Sequence, residues 1–337
     1  MNILITSVGR RGYIVDYFTK ALGDKGEVHI ANSDSLTPAR VHTKYFIQTP
    51  LIYSSEYIPF LLNYCQNHNI KIVLSLFDVD LPVLAKNKKK FEQKGIQVIV
   101  SSSEVIDICN DKLKTFQFCE KKGLLTPRTF VSIKNAVQGI NEGLVNFPLI
   151  IKPRWGMGSI GIFVANNLEE LKVLYKKSLN EISNSYLKYE SRENLHQSVL
   201  IQEYLLGEEF GLDVINNLNE EYVNTIVKKK HSMRAGETDC AETVKYPELE
   251  ALGEYISKSL KHIGNLDVDI FRVGNKHYIL EMNARFGGGY PFSHMAGVRL
   301  PTAIIEWTKG NYVDRSTLSS RVGIISHKDI NMVNLTI

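Results

Sequence analysis

Apolar positions along this chain follow two periods in turn, and the exchange between them is the first guide to its fold. Asn2 to Ser7 is a short apolar run of strand type, Tyr13 to Leu22 spaces its apolar residues as a helix does, and Val28 to Ala31 returns to strand. The exchange recurs: helices are expected at Tyr57 to His68 and Leu81 to Lys94, and strands at Lys71 to Ser75 and Ile96 to Val100. Strands separated by helices predict an open, mostly parallel, Rossmann-like sheet over residues 1–105. Ser101, Ser102, Ser103 and Glu104 open a further helix by capping. Asp111 and Lys112 begin another, and Gly123 stops it before a strand led by Thr126-Pro127.

Further on, strands come in neighbouring pairs. Phe147 to Val164 reads as an apolar strand ending at Lys152, a glycine loop and a returning strand, and a polar helical stretch then runs to about residue 195. Ser198 to Asn216 is two strands broken at Leu205-Leu206-Gly207, and Tyr222 to Lys230 is another strand. The polar run His231 to Asp239 is expected as a loop and candidate lid, and Tyr246 to Ile263 as a helix. Asn265 to Pro291 alternates as two strands about Gly274-Asn275. The expected fold class is α/β followed by α+β, divided as residues 1–105, 106–195 and 196–337.

Composition changes this picture little. With 44% hydrophobic and 23% charged residues among 337, the chain suits a globular protein of two or three subdomains. The net charge is +4 and the basic runs, Lys86 to Lys90 and Lys228 to Lys230, carry no interleaved aromatics, so nucleic acid is not an expected partner. No uninterrupted apolar run approaches the ~18 residues of a membrane span. Four cysteines without metal or redox spacing suit a reducing compartment, and a cytoplasmic protein is expected.

Candidate chemistry gathers at the last hairpin. A three-residue connection, Gly274-Asn275-Lys276, would set Asp269 opposite Glu281 with Asn283 on the same face, whereas a two-residue turn would send the acids to opposite faces. Facing carboxylates repel unless a cation lies between them. Oxygen ligands of this kind suit Mg²⁺, with Mn²⁺ as the alternative ion. Arg285 then stands where charge develops on a transferred phosphoryl group. Taken alone, the segment is equally an exposed hairpin with a solvated acid face.

Beside Lys152, the glycine loop Gly156, Gly158, Ser159 and Gly161 offers backbone N–H groups to phosphate, although a tight glycine hairpin explains it too. Backbone groups freed at the 205–207 break can meet an adenine edge, and Glu209 can accept from ribose hydroxyls. Arg10 and Arg11 suit an anionic substrate group or a surface loop equally. Asp78 and Asp80 follow a strand's carboxyl end but need no role beyond opening a helix. Gly287 to Gly289 and His294 are candidate pocket residues, His294 being as readily a packed histidine. Gly9 and Gly12 do not complete a dinucleotide fingerprint, so a Rossmann oxidoreductase is not expected.

In this order and spacing, three motifs make the chain similar to the ATP-grasp superfamily. They are Lys152-Pro153 with its glycine loop, Gln202-Glu203-Tyr204-Leu205-Leu206-Gly207-Glu208-Glu209, and Glu281-Met282-Asn283-Ala284-Arg285. The resemblance runs from Gly9 to about Gly310 and is strongest to members likened to the carbamoyl-phosphate synthase large chain and to small amino-acid ligases. It implies a pre-ATP-grasp domain followed by two subdomains that clasp ATP. By resemblance, Lys112 and Lys152 touch the nucleotide, the glycine loop covers the triphosphate, Glu203 with the backbone of Tyr204 and Leu205 holds adenine, and Glu209 holds ribose. Asp269, Glu281 and Asn283 match the Mg²⁺ ligands, with Asp267 as a rival because relatives more often carry Glu or Gln where Asp269 stands. Arg285 matches the arginine that steadies the phosphorylated intermediate, and Arg234 falls near the reacting phosphate.

The implied activity is an ATP- and Mg²⁺-dependent carboxylate–amine ligase acting through an acyl phosphate on a small amino-acid-like substrate. Its partners would be a small-molecule carboxylate and an amine, with a homodimer as one open assembly. Two alternatives stand beside it: a non-catalytic ATP-binding regulator, and synthase-like phosphorylation of a small carboxylate or carbamate. Carbamoyl phosphate synthesis itself is not expected from one ATP-grasp unit with no glutaminase signature.

Overall fold

A computed structural model describes residues 1–156, 160–192 and 194–336. Its first part is β1 (Asn2–Thr6), α1 (Gly12–Leu22), β2 (Val28–Asn32), β3 (Phe46–Gln48), α2 (Tyr57–Asn67), β4 (Ile70–Ser75), α3 (Leu81–Glu92) and β5 (Gln97–Val98). All pairings in this sheet are parallel and the strand order is β3-β2-β1-β4-β5. Helices cover such a sheet, which is why its strands are runs of buried apolar residues such as Ile3, Leu4 and Ile5. The chain leaves β1 toward β2 on one side and β4 toward β5 on the other, so a crevice opens at the carboxyl ends of β1 and β4. There the fully buried Asp80 accepts hydrogen bonds from Ser75 (2.8 Å), Tyr57 (3.0 Å), Ser7 (3.2 Å) and Thr6. Four hydroxyls on one carboxylate hold the 76–80 loop in place.

Two helices, α4 (Ser103–Asn110) and α5 (Lys112–Lys121), lead onward, capped by Ser102 and Asp111 as the sequence predicts. The second sheet comprises β6 (Thr129–Phe130), β7 (Leu149–Pro153), β8 (Phe163–Ala165) and β9 (Val199–Glu203), in the order β6-β9-β7-β8. With α6 (Ile133–Asn141), α7 (Leu168–Asn184) and α8 (Leu187–Glu190) it closes a separate small core around Leu149, Ile151, Leu171 and Ile201. Because β9 pairs with β6 and β7, the small subdomain extends through Glu203 rather than ending at 195. Tyr204 to Gly207 therefore forms the joint between the second and third sheets.

The third sheet is antiparallel, with β10 (Glu208–Asn216), β11 (Tyr222–Arg234), β12 (Glu237–Val244), β13 (Gly264–Val273), β14 (Lys276–Asn283) and β15 (Ile325–His327) in the order β14-β13-β10-β11-β12-β15. Helix α9 (Pro247–Leu260) packs on β10 and β11, and α10 (Tyr290–Met295) and α11 (Leu300–Thr308) follow β14. One apolar cluster includes Leu4, Val73 and Phe91 of the first sheet region together with Leu212, Val268 and Met282 of the third, so these parts share a core.

Two expectations need correction. His231 to Asp239 is not a loop: β11 runs to Arg234 and β12 starts at Glu237, turning only at Ala235-Gly236, both with positive φ. Such a turn suits the twist of a ribbon. A ribbon with polar residues on both faces carries no period-two signal, and its polarity hid it. The β13–β14 turn is also shorter than expected. Val273 pairs with Lys276, leaving the two-residue turn Gly274-Asn275.

His262, fully buried at the end of α9, donates Nε2–H to the Val214 carbonyl at 3.0 Å. Burial pushes its pKa down to about 4, the Val214 bond opposing only in part. The unfolded chain takes up this proton first, near pH 6.5, so the stability conferred by neutral His262 is complete above that pH and lost as pH falls to about 4. Urea unfolding should show about 3 kcal/mol of acid-dependent loss from this group. A His262→Gln variant that kept the whole wild-type slope over this range would contradict the assignment.

Candidate active site

A bulge on β14 compensates for the short turn. Ile270 pairs with Ile279 but Asp269 pairs with Glu281, so Leu280 is the extra residue and every side chain beyond it changes face. The two acids thus stand directly opposite each other despite the two-residue turn, and Asn283 follows on the same face, opposite Asp267. All four line one cleft together with Arg285, Arg11, Lys228, Lys230, Glu237, Gly288 and Gly289.

Cations converge on these acids. Lys230, from β11, donates to Asp269 at 2.6 Å and lies 3.7 Å from Glu209; Gly211, opposite Asp269 on β10, leaves room for its stem. Lys112 lies 3.9 Å from Glu281 and donates to the Gly156 carbonyl at 2.6 Å. Burial pushes Lys152 down to about 7, the Lys112 ammonium adding to this while Glu281 opposes it. Burial disfavours the Glu281 carboxylate, but Lys112 and Lys152 prevail and its pKa is lowered. The two lysines are brought together by a buried bidentate pair: Arg154, after β7, donates from Nε and Nη2 to Asp111, which caps the helix carrying Lys112, both at 2.7 Å.

Arg285 is buried and holds its charge firmly. Burial opposes that charge, but Asp78 at 2.8 Å and Asp267 at 3.7 Å outweigh it. Asp267 is pushed up to about 7, by burial first and then by Asp269, against the pull of Lys228 and Arg285. A Cβ at Gly287 would overlap the Asp267 carboxylate, so the glycine lets the chain pass this acid. Beneath them Lys228 is ion-paired with Asp213, which also accepts from Ser293 and, at 3.0 Å, from Asn265.

Other expected residues fall differently. Arg11 is buried, donating to the Leu76 and Phe286 carbonyls at 2.9 and 3.2 Å and to Glu237 at 3.0 Å, whereas Arg10 is exposed and outside the cleft lining. Arg234 is absent from the lining although Met233 and Gly236 on either side of it are present, and it is ion-paired with Asp239 at 2.6 Å. His294 stacks on Tyr17 with ring centroids 3.5 Å apart, burial driving its pKa down to about 4, so it is a packed histidine. Glu203 accepts from the Arg128 N–H at 3.1 Å, while Tyr204 and Leu205 occupy the joint after β9. Gly158 and Ser159 lie outside the described residues.

The donor set fits Mg²⁺. It is all oxygen, two carboxylates and an amide from adjacent strands, and the acids already attract neighbouring ammonium groups. Among the described residues no group of three or more His, Cys, Asp or Glu is arranged to hold a metal, which leaves this mixed set as the candidate.

A small sheet and a large one are joined at Tyr204 to Gly207, with Lys152 on the first and the facing acids on the second. A family model described as an ATP-grasp domain matches residues 109–289, and one described as a PylC-like N-terminal domain matches residues 3–99. The chain belongs to the ATP-grasp family.

It is 23% identical over 290 residues to the carbamoyl phosphate synthase large chain of Pseudothermotoga lettingae, covering 83% of this chain and 24% of that one. To the arginine-specific large chain of Bacillus subtilis it is 21% identical over 199 residues, 59% of this chain and 18% of that one. It therefore spans about a quarter or less of the curated relatives' length. Among solved structures, the biotin carboxylase domain of Hydrogenobacter thermophilus 2-oxoglutarate carboxylase, in complex with MgADP and bicarbonate, matches with a TM-score of 0.72 at 17% identity, covering 96% of this chain and 73% of that one. Staphylococcus aureus N5-carboxyaminoimidazole synthetase with ADP matches with a TM-score of 0.70 at 16% identity, covering 93% and 78%. These likenesses establish the fold. Among the described residues no helix is long and apolar enough to cross a membrane.

Proposed function

We propose that this chain is an ATP- and Mg²⁺-dependent carboxylate–amine ligase that passes through an acyl phosphate on a small amino-acid-like substrate. The observation that carries the proposal is the register of β13 and β14, which sets Asp269 against Glu281 in a cleft that also holds Arg285. When bound, Mg²⁺ would neutralise and orient the triphosphate. Asp269, Glu281 and Asn283 would hold it, with Asp267, opposite Asn283 on β13, as the rival ligand. Lys112 and Lys152 would take phosphate charge, Glu203, Tyr204 and Leu205 would meet adenine, and Glu209 would meet ribose. Arg285 steadies the phosphoryl group as the carboxylate receives it and as the amine displaces it.

The test is ADP release from MgATP across paired panels of small carboxylates and amines, with mass spectrometry of the products. Release that needs both substrates, giving a product of their combined mass less one water, is expected. MgATP binding with no ADP release across the panel would overturn the ligase in favour of a non-catalytic nucleotide sensor.

A further inference from the structure

The N-terminal sheet reaches into the cleft through one carboxylate that the scheme above leaves without a task. Asp78 sits in the loop at the carboxyl end of β4, is buried, and accepts from Arg285 Nη2 at 2.8 Å across 207 residues of chain. Its loop is fixed from three sides. The hydroxyls around Asp80 hold one end, Asn110 Nδ2 donates to the Asp78 carbonyl at 2.7 Å, and Arg11 Nη1 joins the Leu76 carbonyl to that of Phe286, next to Arg285 itself. A loop immobilised this thoroughly sets where the guanidinium points. Arg285 also meets Asp267 at 3.7 Å, two residues from Asp269 on β13, and feels the Glu281 carboxylate of the metal row. The arginine is therefore held between an acid outside the metal row and one beside it, with the shorter contact on the outside.

We propose that Asp78 is the positioning residue for Arg285, holding its guanidinium off Asp267 and turned toward the transferred phosphoryl group. On this account the N-terminal domain completes the phosphoryl site. The inference rests on the ligase reading of the cleft. Without Asp78, Asp267 and Glu281 are left drawing on Arg285, and the guanidinium swings toward Asp267, the nearer of the two. Arg285 remains charged and buried, but its donors no longer meet the phosphoryl oxygens.

The test uses the full chain with two probes, MgADP alone and orthovanadate added to the MgADP complex, the vanadate standing in for the phosphoryl group. Arg285→Met sets the scale for complete loss. Asp78→Asn should bind MgADP within about threefold of wild type and vanadate about 10- to 100-fold more weakly. Asp78→Glu, which keeps the charge on a longer stem and serves if the Asn variant does not fold, should fall between the two. Vanadate affinity unchanged in either folded variant, or MgADP affinity lost in parallel with it, would overturn the positioning role. Wild-type protein that fails to bind MgADP would overturn the nucleotide reading beneath it.

Discussion

Replacing Glu281 by Gln is expected to lower substrate-dependent ADP release by on the order of 10² to 10³. The change is nearly isosteric, so the β14 register, the bulge at Leu280 and the Asn283 contact are all retained. What disappears is one negative charge at the point where Lys112, Lys152 and the proposed metal meet. A neutral amide is a poor ligand for a hard divalent cation, and it leaves two nearby ammonium groups facing each other across an uncharged group. Lys152, already depressed by burial and by Lys112, loses the carboxylate that supports its charge. Steady-state ADP release with the product-forming substrate pair measures the effect. A Glu281→Gln enzyme turning over at the wild-type rate would remove the metal from this position.

The second large effect is on stability. Asp213 is fully buried and serves three donors, Lys228, Ser293 and Asn265, which lie on or beside β11, α10 and β13. Asp213→Ala leaves the buried ammonium of Lys228 without a counter-charge and should cost about 3–5 kcal/mol in urea unfolding. The double variant Asp213→Leu with Lys228→Met removes both charges and should recover most of that loss, because a buried pair offsets little more than its own desolvation. A single variant that loses less than about 1 kcal/mol would mean that water reaches the pair.

The sequence makes the central hairpin legible because its acids and arginine alternate. Glu281 and Asn283 are two apart, and a strand must present them on one face, with Arg285 two residues beyond its end. The conclusion that Asp269 faces Glu281 agrees with the structure although the turn length expected for it does not. Two displacements of one residue, the short turn and the bulge, cancel, and nothing in the alternation distinguishes that outcome from the three-residue connection. Four strands of the first sheet are equally readable, since continuous apolar runs between helical spacings have few other meanings, but the edge strand β3 is three residues long and not fully buried and gives no such run.

What the sequence hides is mostly what lies far apart along the chain. Asp78 with Arg285, Arg11 with Glu237, and Asp111 with Arg154 have no shared spacing, and each residue alone has an ordinary reading as a cap or a surface charge. Asp213 and Lys228 were concealed in the opposite way, as polar residues inside strands that look half exposed on composition. The place of β9 in the small sheet was hidden because the joint after Glu203 separates two strands that are contiguous in sequence but belong to different sheets.

The measurement that bears most directly on the whole account is a crystal structure of the protein with MgADP. It should place Mg²⁺ about 2.0–2.1 Å from carboxylate oxygens of both Asp269 and Glu281, with the diphosphate against Lys152. A metal bound through Asp267 alone, or a nucleotide lying away from Lys152 and the β13–β14 acids, would contradict it.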